Sequence, residues 1–354
     1  MVKPVLIMAG GTGGHIYPAL AVADYLKGAG VDTCWLGSHR GLEKEIVPRH
    51  GYSLHTISVS AVRGRGIVRL LMAPFMLLFA LAQAMRLISK IDPGVVLGMG
   101  GFASGPGGLA AWLCGRPLVI HEQNALPGLT NQLLARFAAR VLGGFPCRLG
   151  NREAEHTGNP VRADFLEFAP RELRDEAANV LVFGGSGGAR FLNETVPHAL
   201  GQVGGCDVEI RHQCGSGSQQ VKRAYERYNV KASVENYIED MKAAYQWADL
   251  VIARAGAMTI AEIAAAGLPS ILVPYPFAVD DHQAANARYL SEAGAAVFAR
   301  QEDLDAGRFA ELIKALLMNH KRRVTMGNKA RELARLDATE RVAQQCLDLI
   351  NHAR

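Results

Sequence analysis

Two glycine-rich loops are the first residues in this sequence that could do chemistry. Residues 10–14 read Gly-Gly-Thr-Gly-Gly and follow an apolar run, and residues 184–188 read Gly-Gly-Ser-Gly-Gly after a second apolar run. Apolar residues at helical spacing follow each loop. Glycine lets the backbone approach a ligand closely, and the N–H groups at a helix start bind phosphate readily. The loops indicate phosphorylated ligands, or else glycines that only form a tight strand-to-helix turn.

Two common classes of phosphate-binding protein fit the loops poorly. Neither loop ends in Lys-Ser/Thr, which disfavours an ATPase or kinase of the P-loop type. The first loop lacks the third glycine of G-x-G-x-x-G, and residues 36–40 offer no carboxylate for a dinucleotide ribose. Arg40 could meet a 2′-phosphate, so an NADP-dependent oxidoreductase stays an alternative, together with a non-catalytic nucleotide-binding module.

A third glycine-rich stretch, residues 98–108, follows the apolar run 95–97. It could hold a second phosphate group through Gly100, Gly101, Ser104 and Gly105. The alternative is that these glycines only permit close packing of the next helix. Loops in both halves favour one phosphorylated ligand for each half.

The elements that must position these loops belong to an α/β protein. Continuous Val/Ile/Leu runs alternate with helical segments, a pattern typical of parallel strands buried on both faces. The repeated loop predicts two Rossmann-like, doubly wound parallel-sheet domains with a cleft between them. A turn-rich stretch at 157–160 suggests domains 1–160 and 161–338. We expect a final helix in 339–354 to pack back across the boundary.

Composition and charge fit a globular enzyme. The chain has 354 residues, 49% of them hydrophobic, and six scattered cysteines without the spacing of a disulfide framework or zinc site. The apolar run near the N-terminus is too short for a signal peptide, so secretion is not expected. The first 160 residues carry 15 Lys and Arg against 8 Asp and Glu. This excess suggests phosphates or an anionic membrane as partners, or simply a solvated surface; no nucleic acid is expected.

An uncharged segment, residues 70–85, is shorter than the ~20 apolar residues that span a bilayer. Basic residues flank it: Arg63, Arg65, Arg69, Arg86 and Lys90. We predict a membrane-surface patch formed by Leu71, Phe75, Leu78 and Phe79. The alternative is a helix buried in the core of the first domain.

Six motifs, in order, give the sequence a specific resemblance. They are GGTGGHIYPALA (10–21), GMGGFASGPGG (98–108), HEQNALPG (121–128), GNPVR (158–162), GGSGGAR (184–190) and RAGAMTIAEIAAAGLPSILVPYP (254–276). Together they resemble the MurG family of bacterial glycosyltransferases along nearly the whole chain.

This resemblance implies the GT-B fold and the transfer of N-acetylglucosamine from UDP-N-acetylglucosamine to lipid I, forming lipid II for peptidoglycan. The acceptor, a muramoyl-pentapeptide on undecaprenyl diphosphate, would bind the N-terminal half and the donor the C-terminal half. It implies no cofactor, a peripheral place at the cytoplasmic face of the inner membrane, and contact with other cell-wall synthesis proteins. Alternatives are a glycolipid glycosyltransferase or a UDP-sugar epimerase of the same fold.

The resemblance also implies donor contacts. Ser186 and the amides of Gly187 and Gly188 would meet the UDP phosphates at a helix start, and Glu262 would meet the ribose. Residues 259–262 equally match a capping box, in which Glu262 would only return to the helix start. Ile238 would meet the uracil through its backbone, and Gln283 would bind the sugar. The backbone of Ala257, Met258 and Thr259, before the helix, would approach the ribose and diphosphate. Further donor contacts are assigned to Ile260, Ala261, Asn124, Arg162, Thr12, Gly13 and Gly14.

The implied reaction is a single inverting displacement at the anomeric carbon by the acceptor's 4-hydroxyl. His15, directly after the first glycine loop, is our candidate base because histidine titrates near neutral pH. Glu122 is the rival. The chain has no His/Cys cluster, so we expect no metal, and loop amides would stabilise the leaving group.

Overall fold

The protein forms two compact units in a computed structural model that describes residues 2–59, 67–168, 178–204 and 208–352. The first unit comprises residues 1–162 and 335–354, and the second comprises residues 163–334. The sequence had suggested boundaries at 160/161 and 338/339.

The first unit alternates strands and helices. Its elements are β1 (Val5–Met8), α1 (Gly13–Gly28), β2 (Thr33–Ser38), α2 (Glu43–Arg49), β3 (Ser53–Ile57), α3 (Ile67–Ile91), β4 (Val95–Gly98), α4 (Ser104–Leu113), β5 (Leu118–Glu122), α5 (Leu129–Leu134), β6 (Arg140–Gly143), β7 (Arg148–Leu149), β8 (Arg152–Glu153) and β9 (Glu155–His156). The seven-stranded sheet has the order β3-β2-β1-β4-β5-β6-β9 and is parallel throughout, while β7 and β8 form an antiparallel pair.

The second unit repeats this plan. Its elements are β10 (Ala178–Phe183), α6 (Arg190–Gln202), β11 (Val208–Gln213), α7 (Ser218–Arg227), β12 (Ala232–Glu235), α8 (Met241–Trp247), β13 (Leu250–Ala253), α9 (Ala257–Ala266), β14 (Ser270–Leu272), α10 (His282–Glu292), β15 (Ala296–Phe298), α11 (Ala306–Leu317) and α12 (His320–Glu332). Its six strands are parallel in the order β12-β11-β10-β13-β14-β15. The predicted α/β class with two doubly wound parallel sheets is confirmed.

The last helix, α13 (Ala338–His352), returns to the first unit. Cys346 and Ile350 are buried in the same apolar cluster as Val5 and Ile7 of β1. The opposite face of the sheet has its own cluster, in which Leu6 packs with residues of α3 and α4. The strands are therefore buried on both sides, as their unbroken apolar runs had indicated.

Helix α3 covers one face of the first sheet with part of its surface only. Ala80, Ala84 and Ile88 are fully buried in the core, whereas Phe75 is 67% exposed, and Leu78 and Phe79 are also exposed. The helix is longer than the uncharged segment and continues through Arg86 and Lys90. By length and composition alone its part Met72–Ile91 could cross a membrane, a test that core helices also pass. Arg63, Arg65 and Cys206, and the side chains of Arg69 and Leu71, lie outside the described residues.

Candidate active site

The first glycine loop and the third glycine stretch meet at the carboxyl edge of the first sheet. Strands β1 and β4 are neighbours in register, Met8 opposite Gly98, at the point where the strand order reverses. Ligands of doubly wound sheets bind outside this switch point. Gly101 has φ +94°, and a Cβ atom there would lie 2.6 Å from the Gly10 carbonyl oxygen. The close packing weighed as an alternative is therefore present, in a place where a ligand is also expected.

His15 lies in the first turn of α1, and its ring packs on the third glycine stretch. Nδ1 is 3.1 Å from the Gly10 carbonyl oxygen, and a Cβ atom at Gly100 would come within 2.7 Å of the ring. A carbonyl oxygen only accepts hydrogen bonds, so we assign the ring proton to Nδ1. Nε2 is then the nitrogen that can accept a proton from a substrate hydroxyl.

Glu43, which no sequence motif indicated, lies directly under the first loop. It is 1% exposed, and its Oε2 accepts a hydrogen bond from the Gly11 N–H at 2.9 Å. Its Oε1 accepts from the Ser38 N–H and hydroxyl at 2.8 and 2.7 Å. Burial raises the pKa of the Glu43 carboxyl, but these hydrogen bonds outweigh burial and hold the pKa below its usual value. The loop thus rests on an ionised carboxylate.

The Ser104 side chain does not face a ligand. It is fully buried, and its hydroxyl donates to the Gly100 carbonyl at 2.8 Å. The hydroxyl of Ser104 therefore has a structural role, and the phosphate contact of this residue stays a prediction. Gly105, in the first turn of α4, is partly exposed, and Gly100 and Gly101 form the turn before this helix.

Glu122 is engaged within the loop that follows β5. Its oxygens accept hydrogen bonds from the Asn124 N–H, the Asn124 amide, the Gly128 N–H and the Asn131 amide, between 2.8 and 3.2 Å. With 3% of its surface exposed, this carboxylate orders a loop. As a base Glu122 would have to give up some of these contacts, so His15 stays our first candidate and Glu122 the rival. Arg162, the last residue of the first unit's long segment, is exposed.

The second glycine loop occupies the equivalent switch point of the second sheet, between β10 and β13. Ser186 and Gly187 are exposed at its tip, and α6 begins only at Arg190, so Ser186 to Gly188 form the turn before the helix. Gly188 has φ +72°, and a Cβ atom there would lie 1.9 Å from the Cys214 carbonyl oxygen. The loop therefore crosses directly over the end of β11.

Gln213, which no sequence motif indicated, joins this loop to the segment around Ile238. Its amide donates to the Gly185 carbonyl at 2.9 Å, and its oxygen accepts from the Ile238 N–H at 2.8 Å. Gln213 is 3% exposed and Ile238 is 1% exposed. Because the Ile238 N–H is engaged, a nucleobase would meet the Ile238 backbone through its carbonyl.

Two expectations about α9 are corrected. The helix begins at Ala257 after Gly256 as its cap, so Ala257, Met258 and Thr259 form its first turn and do not precede it. The capping box is also wrong, since Thr259 is inside the helix. Ile260 and Ala261 follow, and then Glu262. A carboxylate oxygen of Glu262 accepts a hydrogen bond from the Tyr245 hydroxyl at 3.0 Å.

A cavity of about 660 Å³ in the second unit joins the glycine loop to Gln283. Its lining includes Gly184, Gly188, Arg254 and Phe277. The Gln283 carbonyl oxygen accepts from the Tyr275 N–H, which fixes the side chain at the cavity wall. The size suits a sugar diphosphate.

Within the described ranges, no group of three or more His, Cys, Asp and Glu side chains could hold a metal ion. Helix starts and loop amides could meet an anion here, as could the guanidinium groups of Arg190 and Arg254, which line the cavity.

Comparison with known proteins identifies the fold and the relatives. The model of the glycosyltransferase family 28 N-terminal domain matches residues 5–143, and that of the C-terminal domain matches residues 179–346. The chain is 50% identical to a Nitrosococcus oceani protein over 98% of both, and 50% identical to one from Methylococcus capsulatus over 98% of this chain and 99% of the other. Both are named UDP-N-acetylglucosamine–N-acetylmuramyl-(pentapeptide) pyrophosphoryl-undecaprenol N-acetylglucosamine transferase.

Among solved structures, Acinetobacter baumannii MurG superposes with a TM-score of 0.85 at 39% identity, covering 98% of this chain and 99% of that one. The glycosyltransferase VinC superposes with a TM-score of 0.66 at 14% identity, covering 99% of this chain and 100% of that one. The second likeness concerns the fold alone.

Proposed function

Because the chain belongs to glycosyltransferase family 28, we propose that it transfers N-acetylglucosamine from UDP-N-acetylglucosamine to the muramoyl-pentapeptide carried on undecaprenyl diphosphate. The observation that carries this function is 50% identity, over 98% of both chains, to a transferase named for this reaction. The paired glycine loops at two sheet switch points agree with two diphosphate ligands.

In the second unit the donor diphosphate meets the exposed turn Ser186–Gly187–Gly188. Amides at this turn and at the start of α9 stabilise the charge that develops on UDP as it leaves. Glu262 accepts from the ribose hydroxyls, and the Ile238 carbonyl meets the uracil. Gln283, at the wall of the same cavity, binds the sugar. We also assign donor contacts to Asn124, Arg162, Thr12, Gly13 and Gly14.

In the first unit the acceptor diphosphate meets the backbone of Gly100, Gly101 and Gly105. His15, packed on Gly100, removes the proton from the acceptor's 4-hydroxyl through Nε2 as the oxygen attacks the anomeric carbon. The C1–O bond to UDP breaks as the new C1–O bond forms, so the configuration inverts.

The membrane partner of this reaction meets the exposed side of α3. Phe75, Leu78 and Phe79 are exposed there, and Trp112 of the adjacent α4 is 49% exposed. Arg86 and Lys90 lie at the end of the same helix. An apolar surface with a basic border suits a peripheral contact with an anionic leaflet, the cytoplasmic one, where a lipid-carried acceptor is held.

Transfer of labelled N-acetylglucosamine to a lipid I analogue tests the function. We expect product from the wild type, a loss of kcat of roughly 10²–10⁴-fold in His15→Ala, and a raised KM for the donor in Glu262→Ala. Glu45→Ala, an exposed residue of α2, is the matched control and should behave as the wild type. UDP-N-acetylglucosamine should raise the melting temperature and NADPH should not. Stabilisation by NADPH alone would contradict the function, and donor binding without transfer would contradict the acceptor.

A further inference from the structure

A single peptide unit in the first glycine loop is hydrogen-bonded at both ends. Its N–H, that of Gly11, donates to Glu43 Oε2 at 2.9 Å. Its carbonyl, that of Gly10, lies 3.1 Å from His15 Nδ1. The N–H and C=O of a trans peptide point in opposite directions, so this unit joins a buried carboxylate on one side to an imidazole on the other.

The carbonyl orientation decides which imidazole nitrogen can take a proton. While Gly10 C=O points at Nδ1, the neutral ring must carry its proton there and keep the lone pair on Nε2. If the peptide rotated, Nδ1 would lose its acceptor and the other tautomer could form. A carboxylate on the N–H end opposes this rotation and polarises the carbonyl, because linked hydrogen bonds strengthen one another.

We propose that Glu43 is a positioning residue for His15 and acts through the Gly10–Gly11 peptide. This inference rests on the proposed function only because that function makes His15 the general base. Glu43 does not touch a substrate, since it is buried under the loop.

The surroundings of Glu43 are built around its carboxylate. A Cβ atom at Gly10, Gly37 or Gly41 would come within 2.6 Å or less of the Glu43 side chain, so three glycines leave it the room it fills. The Ser38 N–H and hydroxyl hold Oε1 and thereby aim Oε2 at Gly11. All the partners of the carboxylate are donors.

Glu43→Gln is the decisive variant because an amide cannot satisfy these donors. With its oxygen at Ser38, its NH₂ group faces the Gly11 N–H, and two donors then oppose each other. Selective ¹⁵N labelling of histidine reports which His15 nitrogen carries the proton. We expect Nδ1–H in the wild type and an increased share of Nε2–H in Glu43→Gln. We also expect kcat to fall about tenfold, part of what a general base supplies, with the KM for the donor unchanged.

Glu45→Gln, on the exposed side of the same helix and paired with Arg49, is the matched control. It should leave the tautomer and kcat as in the wild type. Nε2–H as the tautomer of the wild type would overturn the proposal without need of any variant. A Glu43→Gln protein that is less stable but keeps the wild-type tautomer and kcat would also overturn it. The tautomer is measured without substrate, so it is independent of whether the transferase reaction is observed.

Discussion

The hydroxyl of Tyr245 donates a hydrogen bond to the carboxylate of Glu262 over 3.0 Å. Tyr245 is fully buried, and its ring makes edge contacts with Phe165 and Phe183. Packing fixes the Tyr245 ring, so its hydroxyl holds the Glu262 carboxylate in one orientation. The candidate ribose contact is therefore oriented from the core of the second unit.

Tyr245→Phe should weaken donor binding while leaving the chemistry intact. Loss of one hydrogen bond of ~1 kcal/mol to Glu262 predicts a three- to tenfold higher KM for UDP-N-acetylglucosamine, roughly, and a nearly unchanged kcat. Steady-state kinetics with varied donor would show this. A reduced kcat at unchanged KM would mean that Glu262 acts in the chemical step.

Gln213→Leu should damage the donor site and the second unit together. The substitution leaves the buried Ile238 N–H without its partner, at a cost of roughly 1–3 kcal/mol, and removes one of two donors to the Gly185 carbonyl, which keeps the Gly188 N–H. We expect a lower urea midpoint and a raised donor KM. Gln220→Leu, on the nearby α7, is the control. An unchanged donor KM in Gln213→Leu would mean that the link between the glycine loop and the Ile238 segment is not needed for donor binding.

Two glycines of the second loop should respond differently to the same added methyl group. Gly185 has φ +90° but no atom within 4 Å of the position that a Cβ would take, so Gly185→Ala should cost only backbone strain, about 1–2 kcal/mol. A Cβ at Gly188 would lie 1.9 Å from a backbone oxygen, so Gly188→Ala should cost about 3–5 kcal/mol. Chemical denaturation measures both, and equal losses would contradict the loop geometry.

Each unit contains one buried histidine that should make it sensitive to acid. Burial lowers the pKa of His121 to about 4 and that of His212 to about 3, from 6.5. Below pH 6.5 the unfolded chain binds a proton that the folded chain refuses, so the unfolding free energy falls as pH drops from 6.5 towards those values. At pH 5 the loss should be roughly 2 kcal/mol for each imidazole.

Urea unfolding at pH 7.5 and pH 5 would measure this loss. His212→Gln keeps a polar side chain near its partners Tyr225 and Asn193 but cannot titrate. Its second unit should therefore lose less stability between the two pH values than that of the wild type. An equal pH dependence in both proteins would assign the effect to other groups.

Polar substitutions on α3 should release the protein from membranes. Exposed Phe75 and Phe79 could each bury apolar area worth roughly 1.5–3 kcal/mol, so Phe75→Ser and Phe79→Ser should each lower vesicle binding at least about tenfold. Vesicles containing phosphatidylglycerol would be the target in sedimentation. Met318→Ser, an exposed apolar residue of the second unit, is the control. Unchanged binding of both α3 variants would contradict the membrane surface.

The sequence predicted the strands well because parallel strands buried on both faces are apolar without interruption. The run 250–253 coincides with β13, and 95–97 and 118–120 lie within β4 and β5. The glycine loops were equally visible, since glycine is required where a backbone passes as close as Gly188 does to Cys214.

The side chains that hold those loops could not be predicted. Glu43 lies 32 residues from Gly11, and Gln213 lies 28 from Gly185, so only the folded sheet brings each pair together. Neither Glu43 nor Gln213 belongs to a motif or a periodic pattern that would single it out. The start of α9 was misplaced for a related reason: the threonine and glutamate at 259 and 262 imitate a cap, whereas Gly256 holds that position.

The return of α13 to the first unit has a consequence for biosynthesis. A ribosome completes the strands of the first sheet early but makes the helix carrying Cys346 and Ile350 only after the whole second unit. The second unit, residues 163–334, is continuous in the chain, so it can fold on the ribosome while the first still exposes the apolar face that α13 will cover. Translation thus leaves the first unit to mature after the second, and a nascent chain stalled near residue 335 presents chaperones with that open face.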